Sequence, residues 1–373
     1  MKIAILTWLH NGNYGSVLQA YALQRILRDQ GYETENVDYA PSTKQKVINL
    51  IVNRNSPKLF LEKWDSYLAK KATGASNEIE RKNRKFDMFC KEYINLTERY
   101  YSPNQIRKII GKYDAYICGS DQIWSPVLLN PVYYLDFLNL SDKKISYACS
   151  FGVAEVDKKK QNKISNYLKR FDAISVREAA GKEIVKSLIG KDVPVMPDPT
   201  LLLSKDRWNS VAKSVNCGSK YVFCYFLTWN KEYWEYANEV SSELDCEIVI
   251  VPSVKETYNV KARVIKDAGP EEWIGLVKNA AYIITDSFHG TVFSLIFNKQ
   301  FTILKRFSDD NPKSQNSRIY TLLNRYDIKS RLGVKADIFS QIDYEKINNS
   351  IEQDRIYALN WIKEKLEEEN KTK

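Results

Sequence analysis

The chain has 373 residues, of which 44% are hydrophobic and 27% charged, with a formal net charge of +10. That length exceeds one ordinary core and asks for two, and the composition excludes a disordered or fibrous chain. No apolar run approaches the roughly 18 residues that a membrane span needs.

The opening run Ile3 to Trp8 is apolar but short, and it reads as a first strand rather than a signal peptide. The loop His10-Asn11-Gly12-Asn13-Tyr14-Gly15 follows, then a helix from about Ser16 to Asp29 stopped by Gly31, then a strand Thr34 to Tyr39. This is a βαβ unit. Its glycine loop lacks the G-x-G-x-x-G spacing. It suits phosphate or sugar hydroxyls on backbone N–H groups, and it suits a plain strand-to-helix turn equally well.

Residues 41 to 100 are rich in Lys, Asn and Glu and read as a helical insertion, with Phe60, Leu61, Trp64 and Leu68 at packing spacing. Strands return at Tyr113 to Cys118, Lys144 to Ser150 and Ala173 to Arg177, and Pro197-Asp198-Pro199 marks a rigid break. The rhythm then restarts with strand Tyr221 to Leu227, helix Lys231 to Leu244, strand Glu247 to Val251 and helix Glu271 to Asn279. Strand Ala281 to Thr285, helix Phe288 to Phe297, strand Phe301 to Leu304, a helix near Ser317 to Asn324 and a last charged helix from Tyr344 complete the chain. The pattern predicts two Rossmann-like α/β domains, 1–198 and 199–343, facing each other across a cleft. The helix 344–373 packs back across both.

The six cysteines (Cys90, Cys118, Cys149, Cys217, Cys224, Cys246) lack metal-ligand or paired spacing, so reduced thiols in a cytoplasm are expected, with no metal site. The positive charge suits anionic small molecules or an anionic membrane face. No helix-turn-helix, zinc finger or aromatic RNA-binding signature accompanies it, so nucleic acid is set aside.

Of two histidines, His289 stands out. It lies where the buried strand Ala281 to Thr285 gives way to an apolar helix, at the sheet edge where ligands bind in open α/β folds. A helix N-terminus favours an anion there, and imidazole exchanges a proton near neutral pH. An anionic substrate and a proton transfer are the first expectation, against a histidine that merely packs, with Asp286 or Ser287 as the helix cap.

The ordered motifs Asn11 to Gln19, Asp114 to Asp121, Ser175-Val176-Arg177-Glu178 and Asp286-Ser287-Phe288-His289-Gly290 resemble those of the polysaccharide pyruvyl transferase family over roughly residues 1 to 325. The resemblance implies a GT-B-like fold and transfer of a pyruvyl group from phosphoenolpyruvate to a sugar of a surface glycan or its lipid-linked precursor. The product would be a cyclic ketal. It carries the family's histidine over to His289 and its strand-ending arginine over to Arg177. Ser287 stands where many members have a basic residue and Ser120 where many have glycine. Lys305, Arg306 or Arg318 could replace the missing cation.

On this reading His289 is the acid. Arg177, Ser287, Gly290, Arg318, Arg306 and Lys305 hold the donor on the C-terminal side, and arginine suits that task because its fork meets carboxylate and phosphate bidentately. Asn11, Asn13, Tyr14, Gly15, Ser120 and Asp121 face the acceptor on the N-terminal side. Asp286 is expected to cap its helix, and Asp198 to be an Asx-turn residue. Phosphoenolpyruvate is a substrate, and no cofactor is expected; cytoplasmic work at the inner membrane face would suit a lipid-linked acceptor. Two other readings stay open. One is a nucleotide-sugar glycosyltransferase, with Glu271 or Glu272 offered to a ribose. The other is a non-catalytic glycan-precursor binding protein.

Overall fold

The computed structural model describes residues 1–45, 74–218, 220–309, 311, 314–334 and 337–368. The positions Phe60, Leu61, Trp64 and Leu68 lie outside the described residues. Strands are numbered throughout, and helices of seven residues or more. The first unit comprises β1 (Lys2–Leu6), α1 (Tyr14–Asp29), β2 (Glu33–Asn36), α2 (Ser76–Tyr93), β3 (Ala115–Cys118), β4 (Lys144–Cys149), α3 (Lys158–Leu168), β5 (Ala173–Val176) and α4 (Ala179–Ile189). Its sheet is parallel, in the order β2-β1-β3-β4-β5.

A short helix, Pro199–Leu202, and α5 (Lys205–Val211) lead to the second unit. There β6 (Tyr221–Tyr225), α6 (Lys231–Glu243), β7 (Glu247–Ile250), β8 (Arg263–Val264), α7 (Pro270–Asn279), β9 (Tyr282–Thr285), α8 (Phe288–Ile296) and β10 (Gln300–Ile303) form a second parallel sheet, β10-β9-β6-β7-β8. α9 (Asn316–Tyr326) and α10 (Tyr344–Glu367) follow.

Strands buried on both faces need continuous apolar runs, and β3, β4, β6 and β9 are buried at every position. Lys144 in β4 is accommodated because its ammonium reaches the carbonyls of Asn139 (2.5 Å) and Asp142 (2.7 Å). The strand orders matter for function. In the first sheet the winding reverses between β1 and β3, and in the second between β6 and β9. Each reversal opens a crevice beyond the strand ends, the usual ligand position in such sheets.

One apolar cluster contains residues of both units. Tyr14 of α1 stacks on Trp273 of α7 at 5.3 Å, and its hydroxyl donates to Ala268 O at 2.6 Å. Trp208 and Phe293 extend the aromatic seam. α2 straps the units together: Arg81 pairs with Asp267 (3.0 Å) and Lys85 with Glu272 (2.8 Å), and Tyr93 donates to Glu271 (3.1 Å). α10 packs back across both, with Asp354 accepting from Tyr326 and Arg325, Trp361 near Tyr147, and Leu366 O accepting from Lys143. An apolar interface of this kind fixes the two units more firmly than a polar one would.

Because Tyr14 gives its hydroxyl to a buried carbonyl, Tyr14→Phe is expected to lower stability by roughly 1 kcal/mol. Turnover should stay unchanged. Denaturant unfolding alongside steady-state kinetics checks both halves of that statement, and a kinetic defect without a stability loss would contradict it.

Candidate active site between the two sheets

The two crevices meet in one cleft. Trp8, Asn13, Asp121 and Gln122 line it from the first unit, and Asp286 to His289, Leu304 to Phe307 and the start of α9 from the second.

On the first side, Asn13 caps α1 by accepting from Ser16 N (3.4 Å). Ser16 in turn donates to Asp121 and receives Asn11 Nδ2 at 2.8 Å. Asp121 has a φ of +75°, tolerable for Asp more than for most residues, and its main chain bridges to Cys149 and Ser150. The glycine loop is thereby tied to the end of β3.

On the second side, Ser287 caps α8, accepting from Gly290 N at 3.3 Å. Asp286 does not cap the helix. Its carboxylate instead accepts from Leu227 N (2.6 Å), Thr228 N (3.0 Å) and Thr228 Oγ1 (2.6 Å), holding the loop after β6 against that after β9. Burial pushes this carboxyl up, and those hydrogen bonds pull against it.

His289, in the first turn of α8, is buried between the units. The α1 backbone at Gly15 abuts its ring so closely that a β-carbon there would lie 1.9 Å from Nδ1. The other nitrogen, Nε2, has no hydrogen-bond partner and sits 3.4 Å from Asp198 Oδ2. The same Asp198 oxygen receives Arg177 Nη1 at 2.7 Å and Ser120 Oγ at 3.1 Å, while Oδ1 caps the short helix through Thr200 N (3.1 Å) and Oγ1 (2.8 Å). Burial alone would raise the Asp198 carboxyl; His289 and Arg177 outweigh it and hold the group well below the ordinary carboxylate range.

Arg177 is 3% exposed. Its Nε and Nη2 have no hydrogen-bond partner, Nη2 lies 3.7 Å from Asp121 Oδ1, and its guanidinium lies 4.5 Å from the Phe288 ring centroid.

Beyond Phe288 the cleft is cationic. Arg318 holds Gln315 Oε1 at 2.6 Å, and the Gln122 carbonyl oxygen, in the amide orientation that satisfies both groups, lies 2.9 Å from both Arg318 terminal nitrogens. Burial, with Arg177 nearby, pulls the Arg318 guanidinium down to about 9, which leaves it charged at neutral pH. Arg306 stacks over Phe307 at 5.3 Å with a buried, unpartnered Nε. Among the described residues no carboxylate pairs with Arg306 or Arg318. The N-termini of α8 and α9 point their first turns at the same space. Two guanidiniums without a directly paired carboxylate among the described residues, together with two helix N-termini, suit an anion.

A family model for polysaccharide pyruvyl transferase matches residues 13–306. The chain belongs to the polysaccharide pyruvyl transferase family. No curated protein matches this family member in sequence. Among solved structures, a protein assigned as a UDP-N-acetylglucosamine 2-epimerase from Listeria monocytogenes superposes with a TM-score of 0.50 at 10% identity, covering 100% of this chain and 98% of that one. A UDP-N-acetylglucosamine 2-epimerase from Rickettsia bellii gives 0.48 at 11% identity, covering 98% of each. ADP-heptose heptosyltransferase II from Escherichia coli gives 0.37 at 10%, covering 96% and 99%. The likeness is one of fold: this pyruvyl transferase family member has a GT-B architecture.

Within that family architecture the expected site residues divide. His289, Ser287, Arg306, Arg318, Lys305, Asn13 and Asp121 line the cleft. Lys305 is paired with Asp309 (2.7 Å), so its charge is already answered. Arg177 and Ser120 lie behind His289, bonded to Asp198. Gly290 lies under the cap, where a β-carbon would come within 2.4 Å of Thr285 Oγ1; its role is close packing of helix on strand. Tyr14 and Gly15 are corrections to the acceptor assignment. The first is 1% exposed in the aromatic seam and the second is pressed on His289, so neither presents a surface to a sugar. Asn11 holds Ser16 at the cleft rim.

Glu271 and Glu272, once offered to a ribose, are engaged by Lys213 (2.7 Å) and Lys85 (2.8 Å). Sequence reasoning missed Gln122 and Gln315, which orient Arg318, and undervalued Asp198, for which the flanking prolines suggested a turn and nothing more. Among the described residues no group of three His, Cys, Asp or Glu side chains could hold a metal ion, and no helix is long and apolar enough to cross a membrane.

Proposed function

We propose that the protein transfers the pyruvyl group of phosphoenolpyruvate to a sugar residue of a surface glycan or its lipid-linked precursor, closing a cyclic ketal. The observation that carries this reading is the pairing of two arginines, Arg306 and Arg318, that form no ion pair with a carboxylate among the described residues and stand beside two helix N-termini, with a buried imidazole whose Nε2 faces an ionised Asp198. The donor is a trianion with phosphate and carboxylate on one carbon, and two arginine forks suit those two groups.

Protonation of the donor's methylene carbon makes its central carbon an oxocarbenium-like electrophile. His289, which lines the cleft, is the group that supplies that proton. Phe288 and the seam around Tyr14 keep water from the cation. A lipid-linked acceptor would bring the protein to the inner face of the membrane, where its +10 charge helps docking.

Titration calorimetry of phosphoenolpyruvate tests the donor half. Arg318→Ala and Arg306→Ala are each expected to weaken binding about tenfold to a hundredfold, the worth of a charge-assisted hydrogen bond. His289→Gln should bind the donor and fail to release phosphate from it. Tighter binding of uridine diphosphate than of phosphoenolpyruvate by the wild type would replace this reading with nucleotide-sugar transfer.

A further inference from the structure

Gln122 follows β3 in the first unit, while Gln315 and Arg318 stand at the start of α9 in the second, and all three line the cleft. Their terminal groups meet in a triangle. Arg318 Nη2 lies 2.6 Å from Gln315 Oε1. One terminal atom of the Gln122 amide lies 2.9 Å from that same Oε1 and 2.9 Å from both Arg318 Nη1 and Nη2.

Such a triangle cannot be satisfied in full. Amide and guanidinium nitrogens only donate, and an amide oxygen only accepts. Three mutual contacts among atoms with one role each always leave one like pair. With its oxygen at the corner, Gln122 accepts from Arg318 but confronts the Gln315 oxygen. With its nitrogen there, it donates to Gln315 but confronts the Arg318 nitrogens. Turning Gln315 as well moves the mismatch to the 2.6 Å contact.

A fourth atom that only accepts removes the conflict. Placed between Gln122 and Arg318, it receives Gln122 Nε2 on one side and an Arg318 nitrogen on the other. Gln315 Oε1 then receives the same two groups, and hydrogen-bond donors alternate with acceptors around a ring of four. Gly152, at a φ of +63°, lacks the β-carbon that would stand 2.8 Å from Gln122 Cδ and Nε2, so the amide is bare on that side. Water can fill the fourth position, but hydrogen bonds that involve an ionised group are roughly twice as strong as neutral ones. Arg306, whose buried Nε has no partner among the described residues, lines the same space. An oxyanion is the stronger occupant.

We propose that Gln122 binds the pyruvyl donor: its Nε2 and the Arg318 fork together hold one oxygen of the phosphate or carboxylate of phosphoenolpyruvate, and the site is completed across the two units. This rests on the pyruvyl transfer reading for the identity of the anion. The alternative is that Gln122 only staples the loop after β3 to α9, as Thr321 does for α4 by accepting from Ala179 N at 3.1 Å.

The test is titration calorimetry of the full chain with phosphoenolpyruvate, inorganic phosphate and pyruvate, beside the ligand-free Tm, for wild type, Gln122→Met and Gln122→Glu. Gln122→Met keeps the length of the side chain and removes the conflict together with the amide hydrogens. It is expected to weaken phosphoenolpyruvate binding about tenfold to a hundredfold, while the ligand-free Tm stays at or above that of wild type. Gln122→Glu should weaken binding further, since a carboxylate then faces the anion, again without loss of Tm. A parallel weakening for inorganic phosphate assigns the phosphate to the ring of four, and one for pyruvate assigns the carboxylate. Unchanged affinity in Gln122→Met overturns the proposal, and so does a lower ligand-free Tm in both variants, the mark of a staple. If wild type ignores phosphoenolpyruvate but binds inorganic phosphate in a Gln122-dependent way, pyruvyl transfer fails and the oxyanion site stands. Wild type that binds none of the three overturns both.

Discussion

Gly15→Ala is expected to cut turnover by about a hundredfold or more, the usual consequence of moving a reacting group by an ångström. A β-carbon at this position would fall 1.9 Å from His289 Nδ1 and 2.4 Å from two ring carbons. The neighbour is a buried ring on a helix whose own backbone is pinned by the Ser287 cap, so it has nowhere to yield. Either α1 backs out of the seam it makes through Tyr14 and Trp273, or the imidazole leaves its place beside Asp198. The first route costs stability, by roughly 1–3 kcal/mol for an overpacked core position; the second costs catalysis. Both losses are measurable, in denaturant unfolding and in phosphate release.

Gly12→Ala is the control in the same loop. Gly12 has a φ of +66° but nothing within 4 Å of the added carbon. That change should cost only about 1 kcal/mol of backbone strain, with turnover retained. Equal activity of the two variants would show that contact with Gly15 does not place His289.

This contact also shows what the sequence could and could not convey. The two parallel sheets were legible because strands such as Ala115–Cys118 and Tyr282–Thr285 are unbroken apolar runs between helical periods. β8 (Arg263–Val264) was missed because two residues carry no pattern, and α3 because its run of lysines hides the buried face at Ile164, Tyr167 and Leu168. His289 was legible from its place between strand and helix. Gly15 read as a loop glycine offered to ligand, since nothing in a local pattern reports that a helix of one unit will press upon a ring of the other. Asp198 read as a turn for the same reason. One of its oxygens does cap the short helix, and only the fold reveals that the other receives Arg177 and faces His289.

Asp198→Ala is expected to destabilise the protein by about 3–5 kcal/mol, because it strands the Arg177 guanidinium inside the structure. Arg177 would retain only a 3.5 Å hydrogen bond to Ser120 Oγ, the 3.7 Å approach to Asp121 and the Phe288 ring. If the stranded charge is the cause, adding Arg177→Met to Asp198→Ala should recover part of the loss, a non-additivity that two independent sites would not show. Asp198→Asn separates the charge from the cap, since an amide oxygen can still accept from Thr200.

The sign of the pH effect follows from the direction of the Asp198 shift. A carboxyl whose folded value is depressed gives stability that is fully present above its unfolded value, near 3.9, and is lost as pH falls toward the folded one. Wild type should therefore lose stability below about pH 4 more steeply than Asp198→Asn. Urea midpoints across this range give the comparison. Identical acid slopes would mean that Arg177 and His289 do not hold Asp198 ionised.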